Sequence, residues 1–184
     1  MVRLRLSALS SCRMASEFQR SKVVLVFGAM DVTGDGYLTE EDFRLLAQRW
    51  SALRGSDEKL LTQVMLGWWE TLQQAAGGAE RVTLDDVLSV VDLLPDNIEP
   101  VLGTADAMFG VVDSDNDDYV SEDEYRVMIE AWLGHEGDTD FTVLDLDGDG
   151  RLSRAEFATL WAEFWAGDDE DAPGSYVFGP VQAA

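Results

Sequence analysis

The sequence predicts an all-α protein built from four repeated helix-loop-helix units, packed as two paired, compact lobes. Three observations predict it. A twelve-residue acidic pattern with carboxylates at alternate positions stands at Asp145–Glu156, and it recurs at Asp113–Glu124 and Asp31–Asp42. An aromatic residue precedes each copy by four positions and another follows it at once: Phe27 and Phe43, Phe109 and Tyr125, Phe141 and Phe157. Apolar residues then return at helical spacing, at Leu46, Met128 and Leu160. One helix face is therefore buried before and after each loop, and such repetition marks a fold assembled from like units.

Taken in order, residues 1–13 carry Arg3, Arg5 and Arg13 and no acid, and read as a disordered extension, with Met14 an alternative start. The apolar stretch from Leu4 to Leu9 is shorter than a secretory signal needs. The first pair spans 14–94. Its first loop is 31–42. Asp57 to Gln74 reads as a helix with Leu60, Leu61, Val64, Trp68 and Leu72 on one side. The second loop, 75–86, has Ala75, Gly77 and Ala79 at positions 1, 3 and 5, which leaves Asp86 alone at position 12. This degenerate loop is expected to keep the helix-loop-helix shape and hold no metal, with Val87, Val90 and Val91 continuing as the exit helix. The position-8 residues Leu38 and Val82 are expected to join the two loops in a short strand contact, and Val120 and Leu152 to do the same in the second pair.

Pro95 and Pro100 prevent one continuous helix across the middle of the chain. The second pair spans 98–166, with loops 113–124 and 145–156. Every exit helix begins with capping-box spacing, at Thr39/Asp42, Thr83/Asp86, Ser121/Glu124 and Ser153/Glu156. The tail, 167–184, starts with the acidic run Asp168–Asp171 and ends in the apolar Tyr176-Val177-Phe178. Two readings are open for it: an unstructured end, or a segment whose three apolar residues fold back onto a cleft.

The loop at Asp145 fits the EF-hand calcium pattern D-x-[DN]-x-[DN]-G-x5-E at every fixed position. Its expected ligands are Asp145, Asp147, Asp149, the Arg151 backbone carbonyl and a two-oxygen grip from Glu156. In loop three they are Asp113, Asp115, Asp117, the Tyr119 carbonyl and Glu124; in loop one, Asp31, Thr33, Asp35, the Tyr37 carbonyl and Asp42. An all-oxygen donor set in a flexible loop suits Ca²⁺ rather than zinc or copper. Three Ca²⁺ ions are expected. Loop one has Thr33 at position 3 and the shorter Asp42 at position 12, so it is expected to be the weakest Ca²⁺ site, with Mg²⁺ an alternative occupant. Loop three has Asp118 where glycine is usual, and a left-handed backbone is expected there.

With four such units, a non-binding second loop, a wide gap between loops one and two, and a Trp- and Phe-rich helix set, the chain resembles the calerythrin and sarcoplasmic calcium-binding protein family. The resemblance implies a compact, two-lobed, all-helical calcium buffer or transporter. Composition agrees with a folded cation binder: 46% of residues are hydrophobic, six are Trp, and 36 acids against 13 bases give a net charge of −23. That charge disfavours nucleic acid and anionic membrane surfaces as partners. Cys12 is the only cysteine, so no intramolecular disulfide forms, and a cytoplasmic monomer is expected. The leading function is Ca²⁺ buffering. The alternative is a sensor that exposes a groove for a partner protein, but such grooves favour Met, and only Met30, Met65, Met108 and Met128 lie within the repeats. No catalytic residue is expected. His135, the sole histidine, reads as an exposed linker residue, and the spacing of the carboxylates is accounted for by calcium.

Overall fold

Eight α-helices occupy the described residues of the computed structural model, which are 15–54, 58–138 and 140–181. The expected extension at 1–13, the alternative start at Met14, the Asp57 start of the third helix and the last three residues of the tail lie outside them. The helices are α1 (Glu17–Met30), α2 (Glu40–Arg54), α3 (Glu58–Ala75), α4 (Leu84–Val91), α5 (Glu99–Val112), α6 (Glu122–Leu133), α7 (Phe141–Leu144) and α8 (Arg154–Ala166). Polar side chains satisfy the first backbone N–H groups of most of them. Ser16 caps α1, and reciprocal capping boxes open α4, α6 and α8 at Thr83/Asp86, Ser121/Glu124 and Ser153/Glu156. At α2, the Thr39 N–H and hydroxyl both donate to Asp42. A 3₁₀ turn at Leu94–Asp96, with Pro95 in its first positions, separates the two pairs.

Within each pair the loops meet through their position-8 residues, as the spacing predicts. Leu38 N donates to Val82 O at 2.8 Å and Val82 N to Leu38 O at 3.0 Å. In the second pair, β1 (Tyr119–Ser121) and β2 (Arg151–Ser153) run antiparallel with Val120 opposite Leu152. All four of these apolar residues are buried. Each contact thus links a pair of loops by backbone hydrogen bonds while sealing the top of its core.

Large aromatics join the pairs. Trp68 of α3 belongs to the first pair, yet its ring lies 5.5 Å from Trp132, 5.7 Å from Trp161 and 5.9 Å from Trp165, all in the second. Spacings of this size are typical of favourable aromatic pairs. Arg49 of α2 reaches across to donate to the carbonyls of Ala131 and Trp132, at the C-terminal end of α6. That helix ends at Gly134, whose φ of 77° supplies the left-handed cap.

The tail folds back. After a 3₁₀ turn at Pro173–Tyr176, Val177 and Phe178 are only 3% and 1% exposed. The Phe178 ring lies 4.8 Å from Phe164, 5.7 Å from Trp132 and 5.8 Å from Trp161. The Tyr125 hydroxyl donates to Val177 O, which fixes the strap to α6. Of the three residues expected to return to the cleft, Tyr176 alone stays largely outside.

α1 closes the other end of α8. Gln19 Nε2 donates to Trp165 O at 2.8 Å, and Lys22 Nζ donates to Glu163 O at 3.1 Å and Gly167 O at 2.9 Å. A cation suits the carbonyl-rich end of a helix, but Lys22 is 0% exposed. Burial pulls its pKa down to about 8, against the opposing pull of Asp168 and Glu163. Between about pH 8 and the ordinary lysine value of 10.5, the folded chain has lost this proton and the unfolded chain still holds it. The contribution of this group to stability therefore rises with pH there, by at most about 1.4 kcal/mol per unit. Denaturant titrations at pH 7.5 and 9.5 are expected to show wild type gaining on Lys22→Met; a difference that stays flat or shrinks contradicts this account.

Candidate metal centres

Each loop is organised by its first aspartate. The N–H groups of Asp31, Asp113 and Asp145 close the last turn of the preceding helix on Phe27 O, Phe109 O and Phe141 O, at 2.9, 2.8 and 3.1 Å. Their carboxylates then gather N–H groups from the turn that follows. Asp31 accepts from Gly34, Asp35 and Gly36 at 2.8, 3.1 and 2.8 Å. Asp145 accepts from Gly148, Asp149 and Gly150 at 2.8, 3.1 and 2.7 Å. Asp113 accepts from Asp117 and Asp118, both at 3.1 Å.

This inward convergence accompanies left-handed backbone at two places in each loop. Positions 4 and 6 have positive φ in all three: Gly34 and Gly36, Asn116 and Asp118, Gly148 and Gly150. The expectation covered position 6, including Asp118 at φ 66°. It missed position 4, although the signal was present, since Gly, Asn and Gly there are the residues that tolerate this conformation.

The position-12 acid staples the two ends of each loop together. Glu124 accepts from Ser114 with one oxygen and from Ser121 with the other. Glu156 spans from Leu146 and Asp147 to Ser153 in the same way. Asp42, one methylene shorter, still spans the gap: Oδ1 accepts from the Thr33 N–H and hydroxyl at 3.0 and 2.9 Å, and Oδ2 from Thr39. It is 0% exposed, so its helix is drawn close against the loop. Burial raises the Glu124 pKa, but the hydrogen bonds from Ser114 and Ser121 outweigh it and hold the carboxyl at about 2. At Glu156 burial likewise opposes, and bonds from Ser153, Asp147 and Leu146 win, so its pKa is lowered.

Loops three and four bring their early carboxylates together. Oxygens of Asp113, Asp115 and Asp117 lie within 4.8 Å of one another, and so do those of Asp145, Asp147 and Asp149. Three anionic oxygen donors facing one point fit a hard divalent cation, which removes their mutual repulsion. In loop one Thr33 takes the middle place, so Asp31 and Asp35 are its only early carboxylates. Arg151 sits between the two acidic clusters, 3.9 Å from Asp117 and 3.7 Å from Asp149, with its guanidinium over the Tyr119 ring.

Loop two differs in backbone as well as in side chains. Its positive φ values fall at Gly77 and Gly78, positions 3 and 4. Asp86, the one acid at its positions 1, 3, 5 and 12, accepts from the Thr83 hydroxyl and N–H at 2.6 and 2.9 Å, bonds that lower its pKa. The carboxylate caps α4, and no aspartate stands at positions 1, 3 or 5 to form a cluster with it.

Asp118 holds a left-handed conformation that costs a side-chain-bearing residue on the order of 1 kcal/mol. Its ion pair with Arg154, at 3.8 Å and well exposed, returns little. Asp118→Gly is therefore expected to tighten Ca²⁺ binding at loop three up to about fivefold, the equivalent of about 1 kcal/mol. Calorimetric titration of the variant checks this, and unchanged or weaker binding would contradict it.

Comparison with known proteins agrees with this geometry. A family model described as EF hand matches residues 23–47 and 140–161, and one described as EF-hand domain pair matches 102–131. The matched segments contain loops one, four and three. A sarcoplasmic calcium-binding protein of Perinereis vancaurica tetradentata is 29% identical over 175 residues, covering 90% of this chain and 99% of that one. The luciferin-binding protein of Renilla reniformis is 28% identical over 163 residues, covering 83% and 88%. The solved structure of a sarcoplasmic calcium-binding protein from amphioxus aligns over 90% of this chain and 98% of that one, with a TM-score of 0.69 at 16% identity, a likeness of fold. The chain is an EF-hand calcium-binding protein, similar over most of its length to the sarcoplasmic calcium-binding proteins.

Proposed function

We propose that the chain is a calcium buffer with three sites. Loop one uses Asp31, Thr33, Asp35, the Tyr37 carbonyl and Asp42. Loop three uses Asp113, Asp115, Asp117, the Tyr119 carbonyl and Glu124, and loop four Asp145, Asp147, Asp149, the Arg151 carbonyl and Glu156. Loop two stays without metal. The observation that carries the buffer reading is the tail. Val177 and Phe178 cover apolar surface on α6 and α8 that a sensor would open to a partner helix. The aromatic set around Trp68 and Trp161 also favours a rigid core over an adaptable, Met-lined groove. His135 is exposed in the linker after α6, consistent with a non-catalytic role. No helix of the described residues is long and apolar enough to cross a membrane, and we place the protein as a monomer in the cytoplasm. In the Ca²⁺-loaded protein, hydrogen exchange at Val177–Gly179 is expected to remain protected; release of the tail on loading would favour the sensor.

Ca²⁺ titration is expected to give three ions per chain. A site saturated a thousandfold above its Kd adds about 4 kcal/mol to stability, so chelation is expected to lower the melting temperature sharply. A stoichiometry of four, or a melting temperature unmoved by chelator, would overturn the assignment.

Loop one is the weakest Ca²⁺ site in this reading, and the one open to Mg²⁺. It lacks a carboxylate at position 3, and a lower ligand charge and count suit the smaller ion, which keeps more of its water. Asp42→Glu is expected to raise Ca²⁺ affinity at loop one and reduce competition by Mg²⁺, leaving loops three and four nearly unchanged. Site-resolved NMR titration decides: loop one filling first in wild type, with Mg²⁺ unable to compete, contradicts the reading.

A further inference from the structure

The second hand, which carries no metal-binding carboxylate set, forms one side of a cavity. The cavity has a volume of about 390 Å³ and opens between α3, α4, the Leu94–Asp96 turn, α5 and the end of α8. Met30, Val87, Val91, Val101 and Trp165 are its buried floor, and Ala75, Leu93 and Pro100 stand exposed on its rim. None of its sixteen lining residues is charged. That is an unusual surface on a chain with 36 acids and 13 bases. Leu93, on the rim, is 67% exposed.

Two of the lining indoles, Trp68 and Trp165, carry buried N–H groups that meet no acceptor among the described residues. Buried donors are normally satisfied, because an unmade hydrogen bond costs the desolvation of the donor. A hollow of this size, walled by several elements and lined by apolar groups with a few polar ones, has the character of a small-molecule site. It is too small to hold a partner helix. Its lack of charge argues against metal ions and peptides rich in Lys or Arg, which the acidic surface elsewhere suits better, and against nucleotides, whose phosphates need cationic groups.

We propose that this cavity binds an uncharged, mainly apolar organic molecule that carries at least one hydrogen-bond acceptor. The loss of ligands from loop two makes this possible. Ala75, at position 1 of loop two where the other loops carry an aspartate, lines the cavity at the end of α3, so no carboxylate stands at that point of its wall. The acceptor satisfies an indole N–H, and the hydrocarbon part covers the apolar floor. This site is separate from the calcium loops and does not depend on how many of them fill.

The test uses the full chain saturated with Ca²⁺ and the neutral probe 6-propionyl-2-(dimethylamino)naphthalene, whose ketone oxygen supplies the acceptor. Methyl NMR is expected to show saturable one-to-one shifts at Leu72, Val90, Val91 and Val101, with energy transfer from tryptophan to the probe. Ala75→Trp, at the exposed rim, is expected to weaken binding at least tenfold while the Ca²⁺ stoichiometry stays that of wild type. Because the shifts are mapped on the wild-type chain, the result does not depend on the variant folding. Absence of saturable shifts overturns the proposal, as do shifts confined to other methyl groups. So does loss of the shifts with dimer formation as protein concentration rises, which would assign the surface to a second copy.

Discussion

The structure depends on acidic side chains that bind their own backbone before they bind anything else. The position-1 aspartate ends one helix, gathers the N–H groups of the turn, and still presents oxygen to the centre of the loop. The position-12 acid starts the next helix and reaches back across the loop. Hydrogen bonds to charged acceptors are the stronger kind, so a cluster of repelling carboxylates is held in register by the chain that carries it. Pre-organisation of this kind lowers the ordering cost of binding. Loops three and four show it most fully, because every early acid and the closing glutamate are in place.

These loops would be local devices if the pairs were not joined. Trp68 places the second hand's first helix in the aromatic centre of the other pair, and Arg49 and Lys22 cap helix ends across chain-distant segments. The tail adds Phe178 to the same aromatic set. Interiors are close-packed and respond to small displacements as units. Movement of an exit helix on metal loading therefore meets the resistance of the whole core, and this favours a chain that binds ions without opening.

Much of this was legible in the sequence. The Phe residues four before each loop proved to accept the bond that ends the entering helix, and Leu38/Val82 and Val120/Leu152 pair as their position in the repeat required. The left-handed turn at Asp118 followed from the missing glycine. Other features were hidden because they are not periodic. Whether the tail stayed loose or folded back rested on tertiary contacts with Trp132 and Phe164 that no local pattern encodes. The ability of Asp42 to span its loop is a matter of helix placement, which the length of the side chain alone does not give. The cavity was invisible for the same reason: Leu72, Val90 and Trp165 belong to three separate helices, and only the packing brings them together.

The second hand shows what holds an EF-hand together where the early loop carboxylates are missing. It keeps its helix cap at Thr83/Asp86 and its strand contact at Leu38/Val82, but its turn has moved to Gly77 and Gly78. Those glycines allow the chain to reverse where no aspartate gathers the N–H groups. The stabilising work passes from ligands to packing, through Leu61, Met65 and Trp69 on one face of α3 and Val87, Leu88 and Val91 on α4. A hand maintained this way is held by packing rather than by a cluster of carboxylates. With α5 and the end of α8 it walls the apolar cavity, part of whose lining comes from the same helices that carry this packing.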